Sequence, residues 1–127
     1  MSSESQAIKI LLRRLIRAEA IAFPRPGEAL SAPSVQGVYI IYSPTGRVLH
    51  VGRTTRAKNG LRQRLGNHLQ GRSSFVIAHF SGDGSKLRRR YSYSCLEVAC
   101  SRQRALLEAY AVGSLCPAHI GLGEATA

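Results

Sequence analysis

The sequence predicts a small α+β fold in one compact domain, on three observations. Apolar residues recur at helical spacing in three segments, a β-branched and aromatic run is interrupted by a Pro-Gly turn, and a later segment alternates as a half-buried strand does. At 127 residues the chain has the size of one ordinary domain. Hydrophobic residues make up 44% and charged residues 20% of it, a composition that excludes disordered, collagen-like and coiled-coil classes.

Ile8, Leu11, Leu12, Leu15 and Ile16 predict an amphipathic helix over about residues 4–21, with Ser3 and Gln6 as a capping box. Pro24, Pro26, Gly27 and Pro33 then break the periodicity, so residues 23–34 read as a connection. Val38 to Tyr42 and Val48 to Val51 form the two strands of a hairpin around Ser43-Pro44-Thr45-Gly46, which has the residues of a type I turn. Closed without a bulge, that turn pairs Tyr42 with Arg47, Ile41 with Val48 and Tyr39 with His50.

Asn59 is the expected N-cap of a helix from Gly60 to Gln70, stopped by Gly71, with Leu61, Leu65 and Leu69 as its buried stripe. Arg64 and His68 lie one turn apart beside that stripe. The run from Phe75 to Phe80 fits a strand or a short helix equally, Gly82 to Gly84 is a loop, and Tyr91 to Val98 alternates as a strand. A last helix is expected from a Ser101 cap through Val112, ended by Gly113 and Pro117.

Lys9, Arg13, Arg14 and Arg17 interrupt the apolar stretch near the start, which excludes a bilayer-crossing segment there and leads to the expectation of a soluble, cytoplasmic protein. Cys95, Cys100 and Cys116 form no CxxC pair, so they are expected to be reduced thiols, mostly buried, and neither a disulfide framework nor a zinc site. Eighteen Lys and Arg face seven Asp and Glu, a net charge of +11, and the region from residue 36 to 75 carries seven bases and no acid. Such a distribution is the footprint of a polyanion binder.

An ordered set of residues in this basic region and beyond resembles the GIY-YIG nuclease superfamily. The matching residues are Gly37-Val38-Tyr39, His50-Val51-Gly52, Arg53-Thr54, Leu61-Arg62-Gln63-Arg64-Leu65 with His68, and Leu107-Glu108. The resemblance covers about residues 35–120 and implies a mainly antiparallel three-stranded sheet flanked by helices, to which the N-terminal helix is an addition. Residues 1–34 would then be a helix and connection packed on a nuclease-like domain of residues 35–127. It also implies phosphodiester cleavage with one divalent ion, Mg2+ or Mn2+, held by Glu108.

Carried over position by position, the resemblance makes Tyr39 the group that orients or deprotonates the attacking water. A phenol with a reference pKa near 10 needs a nearby cation or acceptor for that task. His50 stands where the second tripeptide has a tyrosine; as a neutral imidazole it could accept the phenolic proton or the water's own. Arg64 offers a planar, permanently charged donor to the transition-state phosphate, and His68 a hydrogen bond to the phosphate or the nucleophile. Arg53 would help hold the phosphate, while Arg56, Lys58, Arg62 and Arg72 would grip the nucleic-acid backbone without sequence choice. Glu108 has an ordinary alternative partner in Arg104, four residues earlier. The asparagine that the family often carries after the last helix falls, counted from Pro117, on Ile120, beside His119.

The expected activity is therefore that of a metal-dependent endonuclease acting on DNA. The alternatives are a catalytically silent nucleic-acid-binding module of the same fold, and a cutting subunit that works in a larger assembly or a homodimer. In the last case the first helix could serve as a docking surface, although core is its expected place.

Overall fold

The computed structural model describes residues 3–120; residues 121–127 of the expected nuclease-like domain lie outside that range. Helix α1 (Ser3–Arg17) is followed by a two-residue strand β1 (Ile21–Ala22), the hairpin strands β2 (Gly37–Tyr42) and β3 (Val48–Arg53), and helices α2 (Gly60–Leu69) and α3 (Ser74–Phe80). A 3-10 turn over Gly84–Arg88, strand β4 (Ser92–Glu97) and helix α4 (Ser101–Leu115) complete it. The sheet is antiparallel throughout, in the order β1-β4-β2-β3.

The sheet has four strands, not the expected three. The fourth is β1, where Ile21 and Ala22 pair with Tyr93 and Ser92. A pair this short carries no periodic signal, and Ile21 falls at the end of the expected helix, which stops at Arg17. Helix α1 buries Ile8, Leu12 and Leu15 against Val38, Ile40, Val51, Val98, Leu107 and Ala111. Full burial of a leucine such as Leu15 stabilises the fold by about 1.5–3 kcal/mol. Ile16, counted in the predicted apolar stripe, is 47% exposed, and Glu4 and Arg102 pair on the surface between α1 and α4.

The hairpin register differs from expectation by two residues. Gly46 adopts φ +88, the left-handed region open to glycine. The Gly46 N–H bonds the Ser43 carbonyl, and the Ser43 N–H bonds the Arg47 carbonyl. A second irregularity follows between Ile41 and Tyr42, so Tyr39 faces Gly52 and Ile41 faces His50. A slip of one residue sends every side chain to the other face, whereas two slips restore it. Tyr39 and His50 therefore share a face as neighbours on the diagonal.

Helix α2 begins at Gly60 as expected, but the Asn59 side chain makes no cap bond. The Gln63 side chain instead accepts the Asn59 N–H, and Arg72 N–H closes the far end on the Asn67 carbonyl. The ambiguous run after it is helical because Ser73 Oγ accepts the Val76 N–H and caps α3. Helix α4 runs through Gly113 to Leu115, with Cys100 in place of Ser101 at its N-cap. Packing of Val112 and Leu115 on the apolar core outweighs the roughly 1 kcal/mol that an internal glycine costs. After it, the N–H groups of Ala118 and His119 bond the Val48 and Leu49 carbonyls on the outer edge of β3. The cysteines are not mostly buried: Cys100 and Cys116 are exposed and Cys95 is intermediate. No helix among the described residues is long and apolar enough to cross a membrane.

Candidate active site

Alternation along β2 turns Tyr39 toward α2, where its hydroxyl meets His68 Nε2 at 2.6 Å. Room for that hydroxyl exists because its cross-strand neighbour is Gly52: a Cβ there would fall 2.3 Å from the Tyr39 oxygen. His68 reaches Ser73 Oγ with its other nitrogen, also at 2.6 Å, and Ser73 is the cap of α3. Tyr39, His68 and Ser73 thus form one hydrogen-bonded chain linking β2, α2 and the start of α3.

His50, on β3, stacks on Phe75 with ring centres 5.0 Å apart and planes 12° from parallel. Its ring centre lies 5.2 Å from that of His68 and 6.0 Å from that of Tyr39. Its Nδ1 meets the Nδ1 of His119 at 3.1 Å. The two backbone bonds beyond α4 hold His119 in place for this contact.

These residues back onto a cleft of about 440 Å³ lined by His50, Gly52, Arg64, Ser74, Glu108 and His119 together with apolar groups. Tyr39 and His68 do not line it; both are fully buried, one layer behind. Arg64 Nε is buried without a hydrogen-bond partner among the described residues. Glu108 is the only carboxylate among the described lining residues, and its Oε1 lies 3.0 Å from Arg53 Nε.

Burial governs the protonation states here. It pushes the Tyr39 phenol up to about 12, against the opposing pull of Arg64. It lowers His50 to about 3, with His119 and Arg64 adding to the effect. It also holds His68 well below the usual histidine value, with smaller contributions from His50, Arg64 and His119. All three groups are therefore neutral near pH 7. Burial raises the Glu108 carboxyl, while Arg53 and Arg64 pull it back.

The structure brings Tyr39, His50, Arg64, His68 and Glu108 together as the sequence led one to expect, with three changes of detail. Tyr39 bonds His68 and not His50. Glu108 pairs with Arg53, whereas Arg104 is buried and donates to the carbonyls of Thr54, Val98 and Ala99. Arg53 is thereby engaged by a carboxylate, and Arg62 donates its Nε to the Ala32 carbonyl. Arg56, Lys58, Arg62 and Arg72 are exposed and lie outside the cleft.

Sequence reasoning did not select Ser73, Phe75 or His119 for the site. Only His119 left a trace there, as the neighbour of the position where an asparagine was sought. Among the described residues no group of three or more His, Cys, Asp or Glu is arranged to hold a metal ion. No protein-family model matches this chain, and no curated protein matches it, so the functional reading stands on the residues and their geometry.

Proposed function

We propose that this protein is a divalent-metal-dependent endonuclease that hydrolyses phosphodiester bonds in DNA. One observation carries the reading: Arg64, Glu108 and His50 line one cleft directly above the buried Tyr39–His68 pair. A charged donor, a carboxylate and a neutral imidazole within one cleft are what in-line attack of water on a phosphodiester requires.

Arg64 would receive the phosphate. Its guanidinium supplies fixed positive charge and paired donors where the pentacovalent phosphate gains negative charge. Tyr39 and His68 lie beneath that group and position it. Ionising a phenol with a pKa of about 12 at pH 7 would cost about 7 kcal/mol, so Tyr39 acts as a neutral hydrogen-bonding group. The proton of the attacking water then falls to an imidazole on the cleft wall, His50.

A divalent cation fits Glu108, the only carboxylate among the described lining residues, whose partial burial favours a cationic neighbour such as the Arg53 it now pairs with. Water and phosphate oxygens would fill the remaining positions, as Mg2+ and Mn2+ accept readily. Once bound, the ion would draw charge from the phosphate oxygens. Arg53 would have to share or release Glu108 when the ion enters. Arg56, Lys58, Arg62 and Arg72 would add salt-sensitive contacts to the DNA backbone.

The test is cleavage of supercoiled plasmid and of a labelled branched duplex with Mg2+, Mn2+ or chelator, beside Arg64→Ala and Glu108→Ala. Metal-dependent cutting that both substitutions abolish is the expected result. Salt-sensitive binding by all three proteins with no cutting by any would replace the enzyme with a nucleic-acid-binding module.

A further inference from the structure

His50 on β3 and His119 beyond α4 are 69 residues apart in sequence, yet their Nδ1 atoms lie 3.1 Å apart on the wall of the cleft that holds Arg64 and Glu108. A hydrogen bond between two imidazole nitrogens of the same kind needs one proton between them. In a neutral pair, one ring therefore carries its proton on Nδ1 and presents a bare Nε2. The other ring has a bare Nδ1 and carries its proton on Nε2. Whichever ring is the donor, the pair has one basic and one protic Nε2.

Resting on the nuclease reading above, we propose that His119 is a catalytic residue that works with His50 as a single acid–base dyad. The basic Nε2 takes a proton from the attacking water as its oxygen bonds to phosphorus. The proton between the rings crosses from one Nδ1 to the other. With His50 as the base, the protic Nε2 is that of His119, which gives its proton to the leaving oxygen as the P–O bond breaks. Both rings end neutral with their tautomers exchanged, and proton exchange with solvent restores either arrangement.

This exchange solves a problem that the burial of His50 creates. A lone histidine acting as base must hold a full positive charge, which desolvation and the neighbouring Arg64 oppose at His50. The dyad moves protons without leaving that charge in the site. The described groups that face His50 are consistent with this: Tyr39 from β2, His68 and Arg64 from α2, and Phe75 from α3 include no carboxylate to stabilise an imidazolium. The Phe75 stack and the backbone bond from His119 to Leu49 hold the two rings in register.

Two measurements on the full chain test the dyad. Nitrogen-15 NMR of the histidine rings at pH 7 should find His50 and His119 in opposite tautomers; the same tautomer in both overturns the proposal. The second compares His119→Ala with wild type on DNA bearing one scissile linkage, with either oxygen or sulfur as the bridging leaving atom. A thiolate leaves without a proton, so the variant should lose about 100-fold on the oxygen substrate and only a few-fold on the sulfur substrate. An equal loss on both overturns the role of His119 alone. A wild-type protein that cuts neither substrate overturns the nuclease reading, and the dyad's catalytic role with it.

Discussion

Along β2, Val38 and Ile40 point into a core of aliphatic side chains from α1, β3 and α4, whereas Tyr39 and Ile41 point into one shared with α2 and α3. The second contains Phe75, Phe80 and Tyr93, and the buried His50 and His68 adjoin it. The bulge in β3 adds to the contrast by sending Leu49 to the aromatic side, next to His50, while Val51 returns to the aliphatic one. The same strand thus carries one face that only packs and one that also fixes protonation states. Aliphatic packing and the buried polar cluster of Tyr39, His50 and His68 can be perturbed separately here because alternation places them on opposite sides of a single sheet.

The sharpest way to break that separation is to remove one residue from each side. Arg64→Ala should lower plasmid cleavage by about 1,000-fold, about 4 kcal/mol of transition-state stabilisation. Its melting temperature, read by calorimetry, should stay within about 3 °C of wild type. Leu107→Ala, on the aliphatic side, should do the reverse. A cavity at this fully buried position should cost about 3 kcal/mol and lower the melting temperature by about 10 °C, with cleavage at 20 °C unchanged.

Mild acid, above the range where carboxylates titrate, should act through the aromatic side. Because His50 falls from 6.5 to about 3 on folding, the unfolded chain binds a proton between those values that the folded protein refuses. The stability contributed by neutral His50 is whole above pH 6.5 and is lost as the pH falls toward 3. At pH 5 the loss is about 2 kcal/mol. His50→Tyr should therefore reduce the drop in melting temperature between pH 7 and pH 5 by about 6 °C, measured by thermal unfolding at both pH values.

The smallest effect sharpens the contrast from the other direction. Gly113 sits inside α4 with nothing within 4 Å of where a Cβ would be. Gly113→Ala should raise stability in urea by about 0.5–1 kcal/mol and leave cleavage untouched.

What could be read from the chain followed the range of the interactions involved. The helix carrying Arg64 and His68 was legible because both residues lie one turn apart on a segment with a clear apolar stripe, and the facing of Tyr39 was legible because strand alternation is local. The register was not, since two separate irregularities shift it, and only their sum preserves the shared face of Tyr39 and His50. Partner choice was less legible still. Arg104 is the nearest base to Glu108 along α4, yet it serves three carbonyls from distant segments while Arg53 reaches Glu108 across the fold. His119 and Ser73 entered the site through contacts 69 and five residues away in sequence, which no periodicity records.

The short stretch after α4 has a consequence for the protein's solution behaviour. Strand β3 lies at one side of the sheet, where unpaired carbonyls would offer a template to a strand from another molecule. The N–H groups of Ala118 and His119 cover the Val48 and Leu49 carbonyls there, and at the opposite side β1 is only two residues long. The segment that delivers His119 to the cleft is thus also a guard against edge-to-edge aggregation. A chain shortened to end at Pro117 should lose this cover on β3 together with His119, precipitating at concentrations where the full chain remains monodisperse.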